Sequence, residues 1–567
     1  TLAIAIIILV NIISSFLFTR VDLTSEKRYT LSKATKQLIK KLDDVVFFKV
    51  YLDGDLPPGF RRLSNETREM LSEFRAYSDN IQYEFVDPSA NPNTKERNDS
   101  YRLLVERGLE PTDLRTTKKG QSSQLIIFPG AIVSYRGKEI PVQLLMTQLG
   151  QDPNKVLNNS IQSLEYNLAS AIQKLTTTIK PGIAFIEGQG ELSRQETFDL
   201  ENSLSEYYNV DRIRINQKVN SLALRLKTDS VHDELVNKYR AIIIARPTTS
   251  FDEKDKFLID QFIMRGGKVL WVVDPVFASM DSLGKYSSTM GIVNDVNLTD
   301  LLYNYGVRLN NNLVLDINAM QIVIKTGQVG SQPQLEYFPF YYFPLLVPFQ
   351  SHPVVNGLNL VRTEFVSSLD TVAVAGVKKT FLLSTSPYSR LVNAPAYIDL
   401  EILKKEPDPA NYNRGPQPVA LLLEGEFVSS YLWRIPPELE QNADLGFQKK
   451  SKPTRMIVIA DGDMVKNQFD VSQGYPLPLG YDQWTRQTFG NKDFLMNAMN
   501  YLCDDSGLIS VRSRELKLRM LDASKVASGR LFWQLLNTLL PVILILLFGF
   551  IKFRIRKSCY GRIPGNK

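Results

Sequence analysis

Two long apolar runs lie near the two ends of the chain, and nearly all charged residues lie between or after them. Residues 1–18 contain no charged residue, and residues 531–551 form a second run of 21 residues without a charge. About 20 apolar residues at helical rise are needed to cross the hydrocarbon core of a bilayer. The pattern therefore predicts two transmembrane helices, residues 1–19 and residues 531–551, that flank a large extracytoplasmic region.

Residues 20–178 alternate between strand and helix patterns. Apolar and polar positions alternate with period two over residues 81–86, whereas residues 66–77 repeat apolar positions at helical spacing. Further helices are predicted over residues 95–107 and 161–175. The resulting order, β-α-β-α-β-β-α, is typical of a thioredoxin-like unit. The segment contains no cysteine, so thiol–disulfide exchange is excluded and a scaffold is predicted.

Residues 179–509 predict a second α/β unit. Short runs that are continuously apolar alternate with amphipathic helices, which is the pattern of a Rossmann-type parallel sheet covered on both faces. These runs are residues 182–187, 241–245 and 268–273. Residues 453–461 indicate a later return to the same sheet, and residues 365–430 predict a β-rich insertion. The predicted fold class is therefore α/β, with two units between two terminal transmembrane helices.

The positive charge of the chain is concentrated around the second apolar run. The sequence contains 67 Lys and Arg against 60 Asp and Glu, a net charge of +7. Six basic residues lie in the tail, residues 552–567, and six more, with two acids, lie in residues 510–530, so residues 20–509 carry −3. Lys and Arg are enriched on cytoplasmic flanks. The charge thus predicts that both termini are cytoplasmic and indicates contact with lipid, not nucleic acid.

Three segments contain candidate contacts with a partner or with the membrane. Residues 337–349 hold seven aromatic residues and three prolines, and either bury against their own domain or form a contact surface. Residues 510–530 predict a basic juxtamembrane segment that lies on headgroups or docks on a permease, with a solvated stalk as the alternative. Polar residues of the last helix share one face and either contact a partner's membrane helices or lie at the depth of the headgroups. The candidate contacts are Phe340, Tyr341, Tyr342, Phe343, Arg512, Arg514, Lys517, Arg519, Gln534, Asn537 and Thr538.

The chain also contains fragments of chemical motifs, and none is complete. Gly188 and Gly190 open a predicted helix, but Ser193 occupies the third glycine position of a dinucleotide fingerprint. There is no GxxxxGK[ST] motif, and two His and two Cys leave little for a zinc site. We therefore predict no catalytic residue, no cofactor and no metal. Polar residues that follow predicted strands form a candidate ectodomain cleft. They are Gln189, Glu191, Asp461 and Asp463.

Several stretches together resemble a known family, in the order in which they occur. They are residues 20–24, 28–32, 55–63, 188–191, 343–346 and 461–464. With the two predicted spans, they resemble the gliding-motility-associated auxiliary proteins of the GldG type and, more widely, the bacterial ABC-transporter auxiliary family. The resemblance covers essentially the whole chain. One departure is that relatives often carry His in the GxGE turn, where this sequence has Gln189.

The resemblance implies a bacterial inner-membrane protein that assembles with a separate ABC permease subunit and a separate ABC ATPase subunit. It also implies a periplasmic, amidotransferase-like domain without the catalytic cysteine, and a link to gliding motility and its secretion machinery. We expect a non-catalytic transporter subunit whose ectodomain binds a substrate or another ligand, or acts as a scaffold. Two alternatives are an independent membrane-anchored receptor for a glycan or a peptide, and a carboxylate-dependent membrane-anchored hydrolase.

Overall fold

The computed structural model describes residues 30–118, 121–146, 152–227, 233–329, 332–442, 444–513 and 528–560. The chain divides into two compact units, Thr1–Arg514 and Glu515–Lys567. Both stretches that the sequence predicts as α/β units fall in the first of these. The predicted first transmembrane helix lies outside the described residues, and so do Arg514, Lys517 and Arg519 of the predicted basic segment.

The first region of the larger unit, residues 30–176, is a mixed four-stranded sheet with helices. Its elements are α1 (Lys33–Lys40), β1 (Val46–Val50), α2 (Pro58–Tyr77), β2 (Ile81–Phe85), α3 (Thr94–Glu106), β3 (Thr112–Lys118), β4 (Gln121–Ile127), β5 (Gly130–Tyr135), β6 (Lys138–Gln143) and α4 (Pro153–Thr176). The strand order is β2-β1-β5-β6, in which β1 and β2 are parallel and the other neighbours antiparallel. Strands β3 and β4 form a separate hairpin. Thioredoxin-like remains a prediction for this region.

Helix α4 shows how the sequence begins and orients an element of this region. Asp152 caps its amino end by accepting hydrogen bonds from the backbone of Asn154 and Lys155, and Pro153 occupies the first turn, where no N–H partner is needed. Its apolar face, including Leu164 and Leu168, packs in one core with β1 and α2. The helix is therefore stabilised both by its amino-terminal cap and by its buried apolar face.

The second region, residues 182–503, contains the larger sheet. Its elements are β7 (Gly182–Glu187), α5 (Phe198–Ser205), β8 (Asn209–Arg214), β9 (Ala223–Lys227), β10 (Asp233–Asn237), β11 (Ala241–Ala245), α6 (Glu253–Met264), β12 (Lys268–Val272), β13 (Val276–Phe277), α7 (Met280–Tyr286), β14 (Ser288–Val293), α8 (Thr299–Tyr305), β15 (Val307–Leu309), β16 (Asn312–Asp316), β17 (Ala319–Val329), β18 (Gln332–Pro348), β19 (Val361–Arg362), β20 (Leu369–Thr371), β21 (Val377–Ser384), β22 (Ser389–Asn393), β23 (Ala396–Asp399), β24 (Pro418–Gly425), α9 (Pro437–Glu440), β25 (Thr454–Ile459), β26 (Tyr481–Asp482), β27 (Gln487–Thr488) and α10 (Asn491–Cys503).

The larger sheet has a parallel half and an antiparallel half. Strands β8, β7, β11, β12 and β25 are neighbours in that order and run parallel. Strands β24, β21, β18 and β17 continue the sheet in antiparallel order. The predicted parallel sheet is confirmed for the three apolar runs, and so is the return of the chain at β25. The insertion is β-rich as predicted, and two of its strands join this sheet.

Strand β11 explains why the parallel half is covered on both faces. All five of its residues are buried, and successive side chains belong to different cores. Ile243 packs with helices α5 and α10 on one face, whereas Ile242 and Ile244 pack with α6 and α8 on the other. A strand buried on both faces is read in sequence as a continuous apolar run instead of an alternating one.

The middle of the aromatic segment predicted as a possible contact surface lies inside the protein, whereas Tyr337 and Phe349 at its ends are 51% and 42% exposed. It belongs to β18, and Phe340, Tyr341, Tyr342 and Phe343 are 0–6% exposed. The rings contact one another and Phe365, with centroid distances of 4.9 Å between Phe340 and Phe343 and 5.1 Å between Phe343 and Phe365. Of the two alternatives for this segment, burial within its own fold describes these four residues, which leaves them no surface for a partner.

The chain returns to the first region after α10. The turn of 3-10 helix Leu508–Ser513 places Leu508, Ile509 and Val511 in the core built around β1 and α4. Arg512 donates from Nη2 to the carbonyl of Asn356 at 2.8 Å and from Nη1 to Asn497 Oδ1 at 2.5 Å. Arg512 was a candidate contact with lipid or permease, and the structure gives it intramolecular partners instead. The predicted basic segment therefore begins inside the fold.

The second unit consists, in its described part, of helix α11 (Arg530–Tyr560). Within the described residues it is the one helix long and apolar enough to cross a membrane, with a mean hydropathy of 2.2 over its apolar stretch of 18 residues, none of which is buried. It contains the predicted second span, residues 531–551, and Pro541 lies within it. Gln534, Asn537 and Thr538 lie on it, and the Thr538 hydroxyl donates to the carbonyl of Gln534.

Candidate functional site

Polar residues follow the parallel strands directly at their carboxyl ends. Strand β7 is followed by the turn Gly188–Glu191, β11 by Arg246, β12 by Asp274 two residues on, and β25 by Asp461 and Asp463. Because the strands are parallel neighbours, these residues meet at one edge of the sheet, which is where open α/β sheets usually bind ligands. This edge is the candidate site.

The turn after β7 depends on its two glycines. Gly188 has φ 127° and Gly190 has φ 73°, and both lie in the region that L side chains rarely adopt. A Cβ on Gly190 would lie 2.1 Å from Thr248 Oγ1. The carbonyl of Gln189 accepts hydrogen bonds from the backbone of Thr248 and Thr249 at 2.9 and 3.0 Å. The turn is thus fixed against the segment that follows β11.

Gln189 and Glu191, two of the residues predicted for the site, lie together in this turn. The backbone N–H of Gln189 donates to Glu191 Oε2 at 2.7 Å, and Gln189 Nε2 donates to Asp255 Oδ2 at 3.3 Å. Gln189 Oε1 and Glu191 Oε1 are both buried without a hydrogen-bond partner among the described residues. Burial raises the pKa of the Glu191 carboxyl above its ordinary value.

Arg246 joins the ends of three strands. Its Nε lies 2.9 Å from Asp274 Oδ2 and its Nη1 lies 2.9 Å from Asp463 Oδ1, and the side chain is 13% exposed. The residue has φ 57°, a left-handed conformation that directs the chain away from β11. Burying one guanidinium between two carboxylates satisfies its charge without solvent.

Asp461 and Asp463, the other two predicted residues, belong to a buried cluster of carboxylates. Asp461 is 0% exposed and accepts hydrogen bonds from the backbone N–H groups of Asp463, at 3.0 Å, and Glu364, at 3.4 Å. Asp274 accepts from the backbone of Gly462. A Cβ on Gly462 would lie 2.4 Å from Arg246 Cγ, so glycine is required for this close approach. A carboxylate that accepts from two backbone amides fixes a turn, and Asp461 is not presented to a substrate.

The cluster holds more acid than its cations neutralise. Burial, together with Asp274, Asp463 and Glu364, raises the pKa of Asp461 far above its ordinary range. Burial, Glu364 and Asp274 raise the pKa of Asp463 to about 8, against the opposing effect of Arg246. Such shifts arise where like charges share a dry site. The edge can therefore retain a proton at neutral pH.

The structure brings the four predicted residues to one edge but in two pairs. The described contacts join Gln189 to Glu191 and Asp461 to Asp463, and the segment from Arg246 to Thr248 lies between the pairs. Sequence reasoning missed Arg246 and Glu364 as site residues. For Arg246, the available signal was a charged residue directly after a fully apolar strand. Glu364 carries no comparable local signal.

The acids of this edge have partners within the protein. No group of three or more His, Cys, Asp or Glu suited to a metal ion occurs in the part of the chain that the structure describes. The oxygens of Asp274, Asp461 and Asp463 are directed to Arg246 and to backbone amides. The arrangement can bind a proton and hold three strand ends together.

Comparisons with known proteins place most of this sheet in a described family. A sequence profile described as "ABC-type uncharacterized transport system" matches residues 180–498, more than half of the chain, and a profile for a domain of unknown function matches residues 25–134. The chain is 22% identical over 573 residues to an uncharacterized protein of Borreliella burgdorferi, covering 98% of each. It also matches the mmIFT52 N-terminal domain with 13% identity and a TM-score of 0.30, covering 57% of this chain and 97% of that chain.

Proposed function

This chain belongs to the ABC-type uncharacterized transport system family, and we propose that it is a non-catalytic, membrane-anchored subunit of a bacterial ABC transporter complex. Membership of this family supports an association with an ABC transporter complex. The observation that carries the proposal of an anchored subunit is helix α11. It is long and apolar, and none of its apolar stretch is buried within the described protein. A helix of this kind is stable in lipid, where its backbone groups are satisfied internally.

The proposed partners are a permease subunit in the membrane and a separate ATPase subunit. This sequence contains no Walker A motif, so ATP hydrolysis is assigned to the partner. Gln534, Asn537 and Thr538 recur at spacings of three and four on α11, which puts them on one face. Polar side chains in lipid are stabilised by hydrogen bonds with other helices. We therefore assign this face to the permease.

The proposed topology follows the charge of the chain. The basic residues after the last span favour a cytoplasmic carboxyl terminus. With the predicted first span, both termini lie in the cytoplasm and the folded unit lies in the periplasm, anchored in the inner membrane. There it binds a ligand or acts as a scaffold. A role in gliding motility and its secretion machinery is a narrower hypothesis, supported by the sequence resemblance.

Copurification from the native membrane in mild detergent tests the proposal. We expect the full chain to bring down a permease and an ATPase. Replacing the polar face (Gln534→Leu, Asn537→Leu, Thr538→Val) should reduce recovery of the permease. The matched control, Leu536→Ile with Ile543→Leu, alters a different face and should leave recovery unchanged. A chain that purifies without either subunit would contradict the subunit role and favour an independent receptor.

A further inference from the structure

A cleft of about 390 Å³ lies at the opposite edge of the sheet from the candidate site. It is formed where the carboxyl end of α4 meets the residues that precede β7 and β11 and the end of α10. Its volume falls within the range of about 300–1,000 Å³ that is typical of small-molecule pockets, which often lie between domains. The family match, the sequence motifs and the buried carboxylates assign nothing to this place.

Three basic side chains line the cleft, and their partners are displaceable. Lys174 pairs with Glu206, whose side chain is 50% exposed, and Arg240 pairs with Asp505, whose side chain is 73% exposed. Lys180 donates to the carbonyl of Ser205 at 2.7 Å. Ion pairs with such exposed acids contribute little, typically less than about 1 kcal/mol. A bound anion can therefore replace these acids at small cost.

More positive charge lies around Cys503, which itself lines the cleft. Burial raises the pKa of the Cys503 thiol to about 11, and the groups that oppose this shift include Lys268, Arg240 and Arg455. The pKa of Lys268 is lowered by burial and by the two arginines. A cation whose neighbours are other cations gains most from a nearby anion. The lining itself is balanced, because Glu206, Asp504 and Asp505 face the cleft beside its three basic residues, and the cations around Cys503 add positive charge to it.

One wall of the cleft is aromatic. The rings of Tyr207 and Tyr208 have centroids 6.3 Å apart, and Tyr166 also lines the space. Lys174 Nζ lies 5.4 Å from the centroid of the Tyr207 ring. The Tyr208 hydroxyl donates to Asn500 Oδ1 at 3.0 Å, which fixes the ring at the wall. Aromatic faces offer flat apolar contact at low entropic cost.

We propose that this cleft binds a small organic anion with a planar apolar body. Its charged group, a carboxylate or a phosphate, is held by Lys174, Lys180 and Arg240, and its body lies on the tyrosine wall. Leu508 and Ile509 also line the cleft, so the ligand contacts the segment that leads in sequence toward the membrane helix. The inference rests on the proposed ligand-binding role of the folded unit and not on the identity of the transporter subunits.

Cys503 provides a built-in reporter for the test. Residues 1–567 contain two cysteines, so Cys503 is their single thiol in a Cys559→Ser variant. The probe is phenyl phosphate, compared with inorganic phosphate, which lacks the planar body, and benzyl alcohol, which lacks the charge. We expect phenyl phosphate to slow modification of Cys503 by methyl methanethiosulfonate in a saturable way. At the same concentrations, the two partial probes should protect it less.

Variants of the lining make the assignment specific. Arg240→Gln and Lys180→Gln should each raise the concentration of phenyl phosphate needed for half-protection about tenfold. Arg308→Gln, which removes an arginine paired with Asp370 outside the cleft, should not change it. Absence of protection, or equal protection in all three variants, would overturn the proposal. Protection in a chain that copurifies with no transporter subunit would retain the cleft and reject the subunit role.

Discussion

The two edges of the parallel half-sheet are built in opposite ways. At the carboxyl edge, Asp461 is fully buried and Arg246 is 13% exposed between two carboxylates. At the amino edge, the acids that face Lys174 and Arg240 are largely exposed, and a cleft of about 390 Å³ remains open. The edge that usually binds ligands in α/β sheets thus holds a buried cluster of charges paired with one another, and a cleft lies at the other edge.

The difference shows how the same chemical groups serve two purposes. A charge that is buried and fully paired holds strand ends together, because removing one partner leaves the other without compensation. A charge whose partner is exposed to water gains little free energy from that ion pair, so it can exchange the partner for a ligand. Burial, more than the type of residue, separates a structural ion pair from a binding site in this fold.

The strongest way to break this comparison is to remove the central cation of the carboxyl edge. Arg246→Met leaves Asp274 and Asp463 buried without their guanidinium, so we expect a loss of about 3–5 kcal/mol in the free energy of unfolding. Urea denaturation of the full chain in mild detergent, followed by tryptophan fluorescence, measures it. The control, Arg308→Met, breaks an exposed pair and should cost less than about 1 kcal/mol. Equal losses would remove the distinction between buried and exposed pairs.

The carboxyl edge should also respond to pH. Because the pKa of Asp463 rises from 3.8 to about 8 on folding, the folded state holds its proton over a range where the unfolded state has lost it. This contribution is complete below about pH 4, and it is lost as pH rises through about 8. Within this window, stability should fall by up to about 1.4 kcal/mol per pH unit.

The matching measurement is the free energy of unfolding in urea at several pH values between these limits. Asp463→Asn cannot titrate, so its stability should depend less steeply on pH than that of the unchanged chain. The control, Asp470→Asn, replaces a half-buried carboxyl whose pKa is lowered by hydrogen bonds, and it should keep the original slope. The same slope in Asp463→Asn would show that the cluster is not the group that titrates.

How far the sequence predicts these two edges depends on the distance between the residues involved. The apolar strands β7, β11 and β12 were predictable because burial on both faces leaves a local signature. The partners of Arg246 lie 28 and 217 positions away along the chain, so no local pattern could pair them. The cleft is formed by packing of the two regions, and the sequence contains no motif for it.

In two other segments the local composition was conspicuous, but the sequence again did not show which residues would pack against them. For the aromatic run in β18 and the basic segment near Arg512, the sequence left open whether the residues form a contact surface or pack within the fold. Composition indicates an apolar or a charged segment but not the residues that cover it. The structure buries Phe340 and Phe343 against Phe365, and it seats Arg512 between Asn356 and Asn497. Tertiary contacts decided both cases.

A smaller effect on stability is expected at Arg512, which lies in the 3-10 turn Leu508–Ser513 that follows α10. It bonds to Asn497 and Asn356, and its guanidinium lies 5.1 Å from the Tyr166 ring centroid. Arg512→Met should cost about 1.5 kcal/mol in the free energy of unfolding, through the lost charged hydrogen bonds. It should also speed amide exchange in Leu508–Ser513. The control, Arg434→Met, breaks an exposed pair with Asp300 and should leave exchange there unchanged. Unchanged exchange in Arg512→Met would mean that the segment is held by its apolar residues alone.

The smallest effect on stability is expected at Arg240. Its comparison with Arg246 tests most directly whether the charges of the two edges have different roles. Its partner Asp505 is 73% exposed, so Arg240→Gln should change the free energy of unfolding by less than about 1 kcal/mol. The same substitution should weaken protection of Cys503 by phenyl phosphate. Measuring both quantities on one preparation distinguishes a binding residue from a structural one. A loss as large as that of Arg246→Met would place Arg240 among the structural charges, and the amino edge would then resemble the carboxyl edge.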